Sequence, residues 1–216
     1  MGYFPFFMEI ENKKCVIAGG GTVAFRKVTD LLPFGAVMDV IAPDMVPELE
    51  ALALAPETAG RVCLIRRPFQ PIDIGQADFV IAATGDKDLN SSVSAWCKER
   101  RIPVNVVDEK ELCTFFFPSI VKDGPVTVGI STGGNSPVLA SYAKKLIKEA
   151  LPSGFGELAW KLGALRERVK EAFPQSSGVR ADLFHSLAEK GLENNCCLTD
   201  EMAEDMIKER LENRHG

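Results

Sequence analysis

The chain has 216 residues, 46% of them hydrophobic and 25% charged, the balance of a folded globular protein and not of a disordered or repetitive one. Its net charge of −5 argues against nucleic-acid binding but leaves room for a local basic cluster that meets an anionic small molecule. No apolar run approaches the ~20 residues that span a bilayer, and the apolar N-terminus lacks a basic start and carries Glu9 and Glu11.

Neither a membrane segment nor a signal peptide is therefore expected, and the chain is read as cytoplasmic. The six cysteines (positions 15, 63, 97, 113, 196 and 197) are expected as reduced thiols. They form no CxxC pair, and the only histidines are His185 and His215, so no Cys/His metal centre is expected.

In chain order, Lys14–Ala18 reads as a buried strand that runs directly into glycines. A helix follows over Val23–Leu32, with Gly35 as its terminator. Val37–Ala42 is a second strand, Pro47–Leu54 a short helix and Val62–Arg66 a third strand. Phe79–Ala83 is uniformly apolar, as a parallel strand covered on both faces should be. A helix over Asp88–Glu99 and a fifth strand over Ile102–Val107 complete an alternation that predicts a doubly wound parallel α/β sheet.

The pattern then changes. Cys113–Ile120 and Pro125–Ser131 read as β-rich runs joined by a Lys122-Asp123-Gly124 turn. A Gly-Gly loop leads to a helix over Pro137–Ala150, and Pro152-Ser153-Gly154 marks a boundary. The remainder reads as helices split near Pro174–Gly178 and Gly191–Asn195. Three segments result: a nucleotide-type domain over 1–112, a small α+β region over 113–150 and a helical domain over 151–216.

The strongest local motif, Gly19-Gly20-Gly21-Thr22-Val23-Ala24, matches G-x-G-x-x-G/A through Gly19, Gly21 and Ala24. It stands between a strand and a helix, the context in which Gly19 makes the tight turn and Gly21 admits a pyrophosphate. Ala24 then packs helix on strand, giving a Rossmann-type fold. The helix N-terminus offers free N–H groups and a positive dipole end.

The acid that distinguishes NAD from NADP is expected roughly 20 residues on. Asp44, in Ala42-Pro43-Asp44, falls slightly late, so ribose clamp and helix cap both stay open. No Lys or Arg lies between Asp44 and Gly60 to receive a 2′-phosphate, which favours NAD.

Thr84-Gly85-Asp86 ends the fourth strand, either lining the nicotinamide side or simply starting a helix. Asp108 follows the fifth strand, where a carboxylate serves as a general base or as a turn former. Ser131-Thr132-Gly133-Gly134-Asn135-Ser136 precedes Pro137. Ser136 there is a natural N-cap, and the glycines leave N–H groups for a substrate carboxylate or serve as a hinge.

Several segments recur together: Phe4-Pro5, the glycine loop, Arg26-Lys27, Ala82-Ala83-Thr84, Asn105-Val106-Val107-Asp108, Phe117-Pro118-Ser119-Ile120 and Ser131–Ala140. In this order they closely resemble the precorrin-2 dehydrogenase/sirohydrochlorin ferrochelatase family, which includes the N-terminal module of bifunctional siroheme synthases. The resemblance covers residues 1–150 well and the helical tail loosely.

The resemblance implies a Rossmann domain, a dimerisation region over 113–150, a helical domain, and a homodimer in which NAD accepts a hydride from precorrin-2. It places cofactor contacts at Thr22-Val23 and Pro43-Asp44 and makes Asp108 the catalytic carboxylate. In some members that carboxylate is also credited with metal insertion. Thr132 stands where some relatives carry a serine that affects activity, so no catalytic role is assigned to it. Arg26, Lys27, Arg66 and Arg67 are candidates by charge to steer the acidic tetrapyrrole, each of them reading singly as solvated surface instead. The alternatives are an enzyme that also inserts Fe²⁺ into sirohydrochlorin, a dinucleotide sensor without catalysis, and a dehydrogenase for another acidic substrate.

Overall fold

The computed structural model describes residues 3–213; His215 lies outside the described residues. The chain divides into two compact units, Phe4–Phe117 and a second that comprises Pro118 onward.

The first unit is a five-stranded parallel sheet of β1 (Lys14–Ala18), β2 (Val37–Ile41), β3 (Val62–Ile65), β4 (Phe79–Ala82) and β5 (Val104–Val106), in the order β3-β2-β1-β4-β5. Alternation along each strand sends side chains to two separate cores. Cys15, Ile17, Met38, Val40, Phe79 and Ile81 join Ala24, Val28 and Leu31 of α1 (Thr22–Leu31) and Leu49 of α2 (Pro47–Leu54). Val16, Ala18, Val80, Ala82, Val104 and Val106 face the opposite way, against Val93 and Cys97 of α3 (Lys87–Glu99). The sheet is thus doubly wound, as the uniformly apolar β4 predicts.

Gly35 closes a 3₁₀ turn after α1, with φ +78° and its N–H donated to Leu32. The β3–β4 crossover is a 3₁₀ segment over Pro71–Gln76. Asp73 anchors it. Its carboxylate takes two hydrogen bonds from Arg67, at 2.8 and 2.5 Å, and one from the Gln70 N–H at 2.8 Å. The Arg67 hydrogen bond holds the Asp73 carboxyl below its ordinary range.

The segment after β5 departs from expectation. Cys113–Ile120 is not a strand. Residues 113–117 run irregularly along the outer edge of β5, and β6 begins only at Ser119 (Ser119–Asp123). Phe115 and Phe117 are drawn onto the first core instead, which a regular strand would not permit. β6 pairs antiparallel with β7 (Val126–Ile130) through a two-residue Gly124-Pro125 turn, so Asp123 is a strand residue. Gly124 has φ +52°, which suits the first position of a type II′ hairpin turn.

α4 (Pro137–Ala150) covers the hairpin. The tail holds four helices: α5 (Phe155–Ala164), α6 (Arg166–Ala172), α7 (Ser177–Glu193) and α8 (Asp200–Glu212). The break between α5 and α6 at Leu165 carries no glycine or proline signal. Gly178 and Gly191, expected at breaks, lie inside α7, where Gly191 gives room to the Leu158 side chain. Leu158, Val169, Phe173, Leu187 and Ile207 form the helical core. α5 is started by the hairpin, since the Gly156 N–H donates to the Asp123 carboxylate at 2.8 Å. A Cβ on Gly156 would stand 2.5 Å from the Asp123 carbonyl oxygen.

Two outcomes follow from this packing. Gly156→Ala should cost about 1–3 kcal/mol by overpacking a backbone contact, read as a lowered denaturant midpoint with unchanged m-value. For Asp73, a depressed carboxyl stabilises the fold above its unfolded pKa, and that stability is lost as pH falls through the folded pKa. Asp73→Asn should lose about 1–3 kcal/mol at neutral pH and show a shallower stability decline between pH 5 and 2; equal slopes for the two proteins would contradict the assignment.

Candidate functional site

All five strands end on one edge of the sheet, so the loops after β1, β2, β4 and β5 converge there. The chain proceeds from β1 to β2 on one side and β4 pairs on the other, which puts the switch point between the β1 and β4 loops.

Gly19 and Gly20 are demanded by the backbone. Gly19 has φ +120°, and a Cβ on it would lie 2.3 Å from the Ala83 carbonyl oxygen. One on Gly20 would meet the Asp44 carbonyl oxygen at the same 2.3 Å. Gly21 is different: a Cβ there would meet nothing within 4 Å, and its φ of −84° suits any residue. It is the N-cap of α1, with no side-chain cap and no acid in the first turn. The Thr22 and Val23 N–H groups therefore open toward free space at the positive end of a ten-residue helix. Ala24 is fully buried beneath, as helix–strand packing requires. A cradle without a Cβ and a bare helix N-terminus fit a dinucleotide pyrophosphate.

Pro43 and Asp44 are exposed in the loop after β2. Asp44 does not cap α2, whose N-cap is Val46 with no side-chain hydrogen bond. Of the two readings of Asp44, capping is removed, and the carboxylate stands at the strand end.

Thr84 is fixed by Asn90, which sequence reading passed over. Asn90 is 4% exposed; its Oδ1 accepts the Thr84 hydroxyl at 2.7 Å, and its Nδ2 donates to the Thr84 carbonyl at 3.0 Å. Asp86 caps α3, accepting from the N–H groups of Asp88 and Leu89 at 2.9 and 3.0 Å. The turn is thus a strand-to-helix start that also presents Thr84 at the switch point.

Asp108 is exposed and adopts φ +61°. The Glu109 N–H reaches the Val106 carbonyl at 3.4 Å, closing a turn with Asp108 at its third position. That position of a type II turn favours glycine or asparagine. Asp108 thus holds a left-handed conformation at the edge where the strand-exit loops converge.

The loop over Ser131–Ser136 lies in the second unit. Gly133 and Gly134 have φ +64° and +84°. The Thr132 hydroxyl accepts from the Ser136 N–H at 3.1 Å and donates to its carbonyl at 3.0 Å, while the Asn135 amide donates to the Thr132 carbonyl at 2.9 Å. The Gly133 N–H donates to the Ser131 hydroxyl at 3.1 Å. Ser136 caps α4, accepting from the Leu139 N–H at 3.2 Å, so Thr132 supports the loop from within.

Of the basic candidates, Lys27 does not face solvent. It is 9% exposed, with its ammonium 3.7 Å above the Phe117 ring, and burial pushes its pKa down. Arg66 pairs with Glu50 and Arg67 with Asp73. Lys27 and Arg67 are thus committed to the fold itself, while Arg66 keeps an exposed pair with Glu50.

Comparison with known proteins agrees with this geometry. A family described as putative NAD(P)-binding matches residues 6–119, and one described as the central region of sirohaem biosynthesis proteins matches residues 123–150. A siroheme synthase of Thioalkalivibrio sulfidiphilus is 42% identical over 176 residues, 82% of this chain and 35% of that protein. One of Nitrosospira multiformis is 38% identical over 213 residues, 99% of this chain and 45% of that protein. The chain spans less than half the length of these relatives. A solved structure of SirC, a precorrin-2 dehydrogenase, is similar in fold, with a TM-score of 0.68, 18% identity and coverage of 96% of this chain and 98% of that one. On the match to more than half its length, this chain belongs to the putative NAD(P)-binding family.

Proposed function

We propose that the chain oxidises precorrin-2 to sirohydrochlorin, with NAD⁺ as acceptor: precorrin-2 gives up a hydride and a proton, and NADH forms. The observation that carries this reading is one sheet edge holding an open Gly21, an uncapped α1 and the strained Asp108. The siroheme synthase relatives and the fold of the precorrin-2 dehydrogenase supply the substrate class.

Bound NAD⁺ would supply the hydride acceptor. The backbone at Gly19, Gly21, Thr22 and Val23 would hold the pyrophosphate, and Pro43 and Asp44 the adenosine ribose. The Asp44 carboxylate repels a 2′-phosphate, which favours NAD over NADP. Thr84, fixed by Asn90, borders the nicotinamide side. Asp108, exposed at the strand end, would accept the substrate's proton. Ser131, Thr132, Gly133, Gly134, Asn135 and Ser136 form the loop that would meet substrate carboxylates, with the N–H groups of Gly133, Asn135 and Ser136 already engaged within it.

We further propose a homodimer in the cytoplasm. α4 leaves Val138, Leu139, Tyr142 and Leu146 exposed at helical spacing, an apolar face suited to a second copy. All six cysteines are unpaired, as in a reducing compartment. No helix among the described residues is long and apolar enough to cross a membrane.

Gly21→Ala tests the cradle. The added methyl meets no protein atom, so melting temperature should stay within about 2 °C while the NAD⁺ Kd rises at least about tenfold; unchanged affinity would move the dinucleotide elsewhere. The reaction is tested by anaerobic incubation with precorrin-2 and NAD⁺, where sirohydrochlorin and NADH should appear in equal amounts. Asp108→Asn should lower turnover about 10²–10⁴-fold, the range for a positioned general base. Asp108→Gly should be equally inactive yet no less stable, and up to about 1 kcal/mol more so because the left-handed strain is gone. Turnover at the wild-type level in either variant would remove Asp108 from the chemistry.

A further inference from the structure

β5 is an edge strand, and its two faces of hydrogen-bonding groups have different fates. Pro103 and Val107 bond inward to β4, through Val80 N–H to Pro103 carbonyl and Val107 N–H to Ala82 carbonyl, each at 2.9 Å. Val104 and Val106 point their N–H and carbonyl groups outward, where an unpaired edge would be left. Val104 is met by Thr114, whose backbone N–H donates to its carbonyl and whose hydroxyl accepts from its N–H, both at 2.8 Å.

Val106 is met by the side chain of Cys113. The Val106 N–H donates to Sγ at 3.2 Å, and the thiol stands 3.2 Å from the Val106 carbonyl and 3.4 Å from the Glu109 carbonyl. Asn105, 7% exposed, donates to the same sulfur at 3.6 Å and to the Phe115 carbonyl at 3.0 Å. Behind the thiol, the Ser94 hydroxyl of α3 donates to the Leu112 carbonyl at 2.7 Å and ties the segment to a buried helix face.

Val106 and Glu109 are the first and last residues of the turn that carries Asp108. We infer that Cys113 is a positioning residue for Asp108, its thiol clasping both ends of the turn and holding the carboxylate in its left-handed conformation. The inference rests on the reading of Asp108 as the proton acceptor. The thiol suits the task because it both donates and accepts. Burial raises its pKa, so at neutral pH it keeps the proton that it donates. Cys113 touches no reacting atom; it acts through the turn.

The test compares Cys113→Ala and Cys113→Ser in the full chain with the wild type and with Asp108→Asn, measuring kcat with precorrin-2 and NAD⁺ binding separately. Cys113→Ala should lower kcat about tenfold or more, the effect of a sub-ångström to 1 Å misplacement of a reacting group, and leave the NAD⁺ Kd within about twofold. The serine hydroxyl keeps donor and acceptor, so Cys113→Ser should return kcat to within about threefold of wild type. On the Asp108→Asn background, Cys113→Ala should change turnover no further, because both act on one step. If the alanine variant fails to fold, Cys113→Val replaces it, restoring bulk without hydrogen bonding. Wild-type kcat in the alanine or valine variant, failure of serine to rescue, or a full additional loss on the Asp108→Asn background would each overturn the positioning role while leaving Asp108 catalytic. Wild-type turnover in Asp108→Asn itself would instead overturn the catalytic reading and this inference with it.

Discussion

Parallel pairing is the constraint from which the site follows. Because β1, β2, β4 and β5 all run the same way, each loop that leaves a strand end opens on one edge, and four segments far apart in sequence meet there. The same pairing demands crossovers on both faces, which is why the strands are apolar on both sides and why two cores form instead of one. The glycine loop inherits its shape from that arrangement. Gly19 is pressed by the β4 exit and Gly20 by the β2 exit, so a side chain is excluded at two of the three glycines by the sheet itself and only at Gly21 would a Cβ meet no protein atom.

Much of this was legible in the residues. Strand identities in the first unit, α1 and the glycine loop follow from an apolar period of two giving way to glycines and then to a helical period. Asp108 and Thr84 could be placed because both directly follow strands, and strand ends fix loops. The segment 113–117 could not be read. Its β-rich composition has the look of a strand, but its partner groups belong to an edge strand whose outward N–H and carbonyl positions are met by side chains, and side-chain pairing leaves no periodic trace. Asn90 was hidden for a similar reason, since an asparagine six residues past Thr84 looks like one more polar helix residue until the helix folds back beneath the turn. Lys27 is neither a solvated cation nor a free steering charge, the two readings its charge suggests, because its four methylenes and a ring at residue 117 make burial tolerable.

The site is therefore supported more by polar braces than by apolar packing. Thr84 is held by Asn90, both ends of the turn at Asp108 are met by the Cys113 thiol, Asn105 donates to that thiol, and Ser94 holds the neighbouring Leu112. Such braces fix direction as well as distance, which general acid–base chemistry needs and hydrophobic contact does not provide. Leaving an aspartate in a conformation suited to glycine costs up to about 1 kcal/mol, offset by the two cores beneath it.

The bond between Asp123 and Gly156 bears on how the second unit holds together. A helix start supplied from 33 positions earlier in the chain makes α5 dependent on a hairpin that is already paired. The turn at Gly124 is seated against the same helix, near Trp160 and Gly156. The hairpin and the helices thus share a joint in which the Asp123 carboxylate, the Gly156 backbone and the Trp160 side chain meet. Exposed Pro152 and Ser153 have the composition of a linker, yet the hairpin before them and the helices after them lie in one compact unit and are tied across that linker by the bond from Gly156 to Asp123.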